Sequence, residues 1–397
     1  MGQGPLKKIT IIDASSIVAG PTAATVMGDY GANVIKIEHP TRGDALRSMG
    51  RKKSGIPLWW KVISRNKKAI TLNLSNSEGR EIFKQMVVKA DALIENFRPG
   101  TMERWGLGYD VLHELNRGLV MLRVTGFGQT GPYAHRPGFG TIAEAMSGFA
   151  HITGEKDGPP TLPALALADG VAGLYGAAAI MFALWWRDVG GGGGDGQYID
   201  LSLYEPLFSI LGPQVTYFDQ LRFAQARSGN RGSGGMPRNA HKASDGRWVA
   251  FSANSPVIVE RIVRLLGLGE NPHFSNLQES LKHSDELDVL LGEWIKSHES
   301  KEILETFEQY DAAIGLVYSV ADQFEDPHFR SREDIIDVPD EELGKIKMQG
   351  LVPRFSQTPG AIEFAGPAQG AYNQEILHDW LGIPEDRLKE LKEKGVI

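Results

Sequence analysis

Ile9-Thr10-Ile11-Ile12-Asp13 is followed by a helical pattern over residues 21–30, by Gly31, and by Asn33-Val34-Ile35-Lys36-Ile37-Glu38. Two short β-rich runs separated by one helix point to parallel strands, which need a crossover of this kind to join them. The rhythm continues along the chain. Further strands are predicted over 69–74, 91–95 and 119–125, and Ser75 is placed to cap a helix in which Ile82, Phe83, Met86 and Val87 share one face.

The expected fold class is α/β, with a Rossmann-like large domain over 1–225. A glycine- and serine-rich break at 228–239 introduces a smaller α+β domain over 226–320, and a segment over 321–397 returns to the large domain. At 397 residues the chain can bury a sizeable core, which excludes a small binding module. The apolar run at 170–186, rich in Gly and Ala, reads as a buried helix, since a bilayer span needs roughly 20 apolar residues. Five glycines at 190–194 must then turn at the surface. The absence of cysteine removes disulfides, thiolate nucleophiles and cysteine-ligated metals. Neither a signal peptide nor a membrane partner is expected, and the reading is cytoplasmic.

A net charge of −7 argues against a nucleic-acid partner. Within this acidic chain, residues 41–69 carry nine basic side chains (Arg42, Arg47, Arg51, Lys52, Lys53, Lys61, Arg65, Lys67, Lys68) against Asp44 alone. That segment is either a solvated loop or a site for a phosphorylated polyanion. Gly126-Phe127-Gly128-Gln129-Thr130-Gly131 satisfies the dinucleotide pattern, but Pro132 and Pro137 follow where a helix would have to open, which demotes a nicotinamide oxidoreductase to a distant reading. The ten histidines are scattered, so no metal is expected. Asp169 stands between Ala164-Leu165-Ala166-Leu167-Ala168 and the apolar helix, where it reads as a cap of that helix and, compatibly with capping, as a nucleophile held ionised by its amides.

Taken in order, Ala19-Gly20-Pro21, the run 31–38 leading to Gly43-Asp44 and Arg47, Asn66-Lys67-Lys68-Ala69-Ile70, Glu95-Asn96-Phe97-Arg98-Pro99-Gly100, the 126–132 segment, Asp169-Gly170 and Gly196-Gln197-Tyr198-Ile199-Asp200 resemble the family III CoA-transferases. That group includes formyl-CoA transferases, carnitine-type CoA-transferases and α-methylacyl-CoA racemases. The resemblance implies a homodimer of interlocked rings, CoA contacts at Val18, Ala19, His39, Lys68, Asn96, Phe97 and Arg104, and a nucleophile at Asp169. It also implies an active-site cover at Gly232, Ser233, Gly234 and Gly235, which from the residues alone could equally be an interdomain linker. Val18 and His39 stand where formyl-CoA transferases carry glutamine and arginine, which turns the expectation away from oxalate and formate. Phe139 stands where racemases carry a histidine base, and phenylalanine cannot exchange a proton.

The expectation is therefore transfer of CoA from an acyl-CoA to a free carboxylic acid, through a mixed anhydride and an aspartyl-CoA thioester on Asp169. No cofactor is permanently bound, and the CoA thioester is itself a substrate. Arg136 and Phe139 are assigned to the acceptor pocket, with a dicarboxylate as the guess for the acid. An acyl-CoA racemase and a CoA-binding protein without turnover are the alternatives.

Overall fold

The computed structural model describes residues 4–231, 237–253 and 255–397. The chain divides into two compact units, one formed by Met1–Phe149, Pro163–Gly212 and Ser331–Ile397 and the other by Ala150–Leu162 and Pro213–Arg330.

The larger unit is built on six parallel strands: β1 (Thr10–Asp13), β2 (Asn33–Glu38), β3 (Lys67–Thr71), β4 (Ala92–Glu95), β5 (Val120–Thr125) and β6 (Tyr198–Ser202), in the order β3-β2-β1-β4-β5-β6. Successive side chains point to opposite faces, and both faces are covered. Ile12, Ile35, Leu93 and Met121 enter one apolar core, while Ile11, Val34, Ala92 and Val120 enter the other. The strand order reverses between β1 and β4. In a doubly wound sheet this opens a crevice beyond the carboxyl ends of those two strands.

Four helices bear on the site or on the predictions: α1 (Ala19–Asp29), α2 (Ser77–Val88), α3 (Gly140–Met146) and α4 (Leu167–Asp188). In α2, Ile82, Phe83, Met86 and Val87 are buried together, but the cap is Asn76, whose side chain accepts from Glu78 N at 2.8 Å. Ser75 instead donates to Asn73. Helix α4 lies against α1 through small residues. A Cβ on Gly173 would stand 2.6 Å from Thr22 Cβ and 3.0 Å from Ala19 O, so only glycine permits this approach. The expectation of a buried helix holds for one face only. The face carrying Ala172, Ala177 and Ile180 is buried, whereas Phe182 and Trp185 on the other face are 73% and 65% exposed.

The smaller unit holds β7 (Arg238–Lys242), β8 (Trp248–Ser252), α5 (Pro256–Leu265), α6 (Ser284–Ser297), α7 (Ser300–Gln309) and β9 (Ile314–Leu316), with an antiparallel sheet in the order β9-β8-β7. Phe251, Ile262, Leu291 and Phe307 fill its core. The histidines are not all apart. His273 and His283 stack with ring centroids 3.8 Å apart, and Glu286 meets His273 Nδ1 at 2.7 Å. Their rings are parallel within 2°, so the nitrogen lone pairs run side by side instead of converging as metal ligation requires.

The chain then returns to the larger unit as the hairpin β10 (Ile335–Asp340) and β11 (Gly344–Gln349) and closes with α8 (Glu385–Glu393). Trp60 Nε1 donates to Pro367 O at 2.9 Å, and Asn73 N donates to Val396 O at 2.8 Å.

Candidate functional site

A cavity of about 200 Å³ lies beyond the carboxyl ends of β4 and β5, its remaining walls formed by residues 16–19, by the loop ahead of α3, and by Asp169. Its first wall is the β1–α1 connection, Ser16 to Ala19. Asn96, which follows β4, fixes that wall by a reciprocal pair: its Oδ1 accepts from Ser16 N and its Nδ2 donates to Ser16 O, both at 2.8 Å. Asp44 Oδ1 accepts from Ile17 N at 3.2 Å. These three bonds hold Ile17 at φ +72°, a left-handed conformation that a β-branched residue adopts only under constraint.

Asp169 forms the back of the cavity. Ala166 occupies the cap position of α4 without a side-chain bond, so Asp169 lies inside the first turn instead of capping it. The amides of Leu167 and Ala168 donate instead to Oε1 of Glu144, at 3.1 and 3.3 Å. Of the first-turn amides, only that of Asp169 itself favours its ionised form, which is less than the expectation that the helix amides hold it ionised. Burial, reinforced by the negative charge of Glu144, pushes the Asp169 carboxyl up from 3.8 to about 6. The carboxylate also presses on α3: a Cβ added to Gly140 would stand 2.1 Å from Asp169 Oδ2.

Val18, Ala19, Asn96, Phe97, Arg136 and Phe139 all line the cavity with Asp169. His39 lines a second cavity, of about 360 Å³, which shares Ser16 and Phe97 with the first and includes Arg42. Lys68 lies elsewhere, on a third cavity, paired with Glu375 at 2.6 Å. Arg104 donates to Thr101 Oγ1 at 2.9 Å and lines none of these three. Gly232, Ser233, Gly234 and Gly235 lie outside the described residues. Much of the cationic segment is neutralised internally, by acids both near in sequence and far from it. Arg47 meets Glu38, Lys61 meets Asp340 and Glu342, Arg65 meets Asp29, and Lys67, fully buried, meets Asp13 at 2.9 Å. The whole segment is therefore not an open phosphate-binding surface.

Two residues beside Asp169 and two that line the cavity are not singled out as site residues by the sequence. Gly140 and Glu144 lie one turn apart on α3, and the detectable signal was a lone acid within the apolar run Ile142-Ala143-Glu144-Ala145-Met146. Arg98 lines the cavity together with Arg136, whose guanidinium is stacked 3.8 Å over the Tyr133 ring. Thr125, at the end of β5, has a buried hydroxyl with no hydrogen-bond partner among the described residues. Among the described lining residues, Asp169 is the only carboxylate and there is no histidine. The arrangement offers one carboxylate of raised pKa in a cavity that two arginines also line, a space suited to a small acid.

Comparison with known proteins agrees. The model of CoA-transferase family III matches residues 6–373. The chain is 39% identical to a succinyl-CoA–D-citramalate CoA-transferase of Chloroflexus aurantiacus, over 99% of this chain and 98% of the relative. It is 29% identical to the human succinyl-CoA:glutarate CoA-transferase, over 99% of this chain and 90% of the relative. A solved structure of a CAIB/BAIF family protein from Brucella suis superposes with a TM-score of 0.84 at 29% identity, covering 95% of this chain and 99% of that one. With its doubly wound sheet, its aspartate-bearing crevice and these full-length likenesses, the chain belongs to CoA-transferase family III, as an enzyme that moves CoA from an acyl-CoA to a carboxylic acid.

Proposed function

We propose that the donor is succinyl-CoA, that the acceptor is a small dicarboxylic or hydroxydicarboxylic acid, and that CoA passes through covalent intermediates on Asp169. The observation that carries this reading is the single carboxylate of the cavity set against Arg98 and Arg136, one anion to react and two cations to hold anions. The relatives named above act on succinyl-CoA with citramalate or glutarate, acids of this size and charge.

An Asp169 oxygen attacks the thioester carbonyl, the carbon–sulfur bond breaks, and CoA leaves as a thiolate from a mixed anhydride. The thiolate then attacks the Asp169 acyl carbon, the carbon–oxygen bond to the succinyl group breaks, and succinate leaves an aspartyl-CoA thioester. The acceptor carboxylate runs the two steps in reverse. The reaction needs no resident cofactor. The elevated pKa suits the nucleophile, because an anion poorly stabilised by its surroundings gains more on being acylated. Arg136, kept in place by Tyr133, is assigned to the distal carboxylate of the acid. The CoA chain is assigned to a path past Val18, Ala19, Asn96 and Phe97 toward His39 and Arg42. Phe139 faces the cavity, and no second base lines it among the described residues, which disfavours α-carbon racemisation.

The exposed face of α4, with Phe182 and Trp185, is assigned to a second copy of the chain in a homodimer, and the working compartment is assigned to the cytoplasm. The decisive experiment mixes the enzyme with succinyl-CoA, quenches it in acid and measures intact mass. A CoA adduct mapping to Asp169 and discharged by citramalate or malate supports the reading. No adduct, with deuterium exchange at an acyl α-carbon, would replace it with an isomerase.

A further inference from the structure

Helix α3 presents two residues to the nucleophile, four positions apart and therefore on one face. Gly140 leaves the space in which the Asp169 carboxylate lies, and Glu144, buried, takes the first two amides of α4. A neutral asparagine or serine oxygen at the helix cap could accept such bonds without bringing a charge into the interior. A second buried acid beside the nucleophile is a cost that hydrogen bonding alone does not explain.

We propose that Glu144 is a positioning residue whose fixed negative charge disfavours the ionised form of Asp169 and so drives it toward its neutral acylated forms, the mixed anhydride and the CoA thioester. This rests on the covalent reading above. Acylation places a carbon where the charge was, with thiolate or succinate carrying the electron pair away, and protonation neutralises the same oxygen. One electrostatic interaction therefore governs both equilibria.

The other charged groups on the elements packed around Asp169 are engaged elsewhere or line its cavity. Glu205 accepts from Ser202, Asp29 on α1 is paired with Arg65, Arg123 on β5 with Glu95 and Glu103, and Asp200 on β6 accepts from Gln129 N. Arg98 and Arg136 line the same cavity, and neither is among the groups that set the Asp169 pKa. Glu144 is the acid that, after burial itself, raises the Asp169 pKa.

Glu144→Gln keeps an accepting oxygen and removes the charge. The acid limb of kcat/KM should move down from about 6 toward the ordinary carboxylate range. The ratio of Asp169-CoA thioester to free enzyme, measured by intact mass with succinyl-CoA well above that midpoint, should fall about tenfold for each unit the midpoint falls. That fixed proportion is what a purely structural role would not produce. Glu144→Asp, which withdraws the charge by one methylene, serves if the glutamine variant does not fold, and both readouts should then move part of the way in the same proportion. A midpoint or an adduct ratio that stays put, or a shift of one without the other, would overturn the proposal. A wild-type enzyme that forms no Asp169 adduct would overturn the covalent reading first, and this proposal with it.

Discussion

Gly140→Ala isolates the geometry of the nucleophile from the stability of the fold. The added Cβ would stand 2.1 Å from Asp169 Oδ2, whereas ordinary carbon contacts begin at 3.4 Å, so the carboxylate or α3 must retreat by about 1.3 Å. Alanine is the better helix former by roughly 1 kcal/mol, which offsets part of the strain and keeps the variant folded. A misplacement of about 1 Å in a reacting group costs on the order of 100-fold in rate. The expected outcome is a loss of about that size in kcat/KM for CoA transfer, followed by chromatographic separation of acyl-CoA substrate and product. The thermal midpoint should stay within a few degrees of wild type. Activity within threefold of wild type would refute the reasoning, since the carboxylate would then have room that the structure denies it.

Asp169→Asn should abolish both adduct and turnover while stabilising the fold. The folded-state pKa of Asp169 lies above its ordinary value of 3.8, so ionisation opposes folding: the burden is complete above about pH 6 and fades as pH falls toward 4. Urea titrations should therefore show a gain of up to about 3 kcal/mol near pH 8 that shrinks near pH 5. For the wild type, kcat/KM should fall about tenfold per unit below about pH 6, because the proton occupies the attacking oxygen. Asn96→Ala removes both bonds to Ser16 and should cost about 1–3 kcal/mol, with a rise in KM for acyl-CoA as the wall from Ser16 to Ala19 loosens; an unchanged KM would dissociate that wall from CoA. Lys67→Met strips a fully buried partner from Asp13 and should destabilise by about 3–5 kcal/mol in a thermal or urea melt.

The sheet was legible because a parallel strand buried on both faces leaves a continuous apolar run, as in 9–13, 33–38 and 119–125. Its strand order was not, since neither neighbours nor the reversal between β1 and β4 leave a local signal. The cap of α2 slipped by one residue because Ser75 and Asn76 are both good caps, and only the loop geometry chooses between them. Asp169 could be singled out as a carboxylate in apolar surroundings. Its partner Glu144 could not be matched to it, because the two meet across 25 positions of chain. The cationic segment was misjudged for the same reason: the acids that neutralise Lys61 and Lys68 arrive from 340–342 and 375. The exposed face of α4 was hidden by composition, since an exposed aromatic run reads like one already buried.

The smaller unit takes Ala150–Leu162 and then the long insertion Pro213–Arg330, after which the larger unit resumes at Ser331. The core beside β3 is closed by Val396, fully buried and bonded to Asn73, while Pro367 receives the indole of Trp60. A ribosome that has delivered all six strands has thus still not delivered the residues that seal them. During translation the nascent sheet must wait, with apolar surface uncovered, until Val396 emerges. The core of the larger unit is thus sealed only once the segment that carries Pro367 and Val396 has been made, and until then its apolar surface is exposed to aggregation.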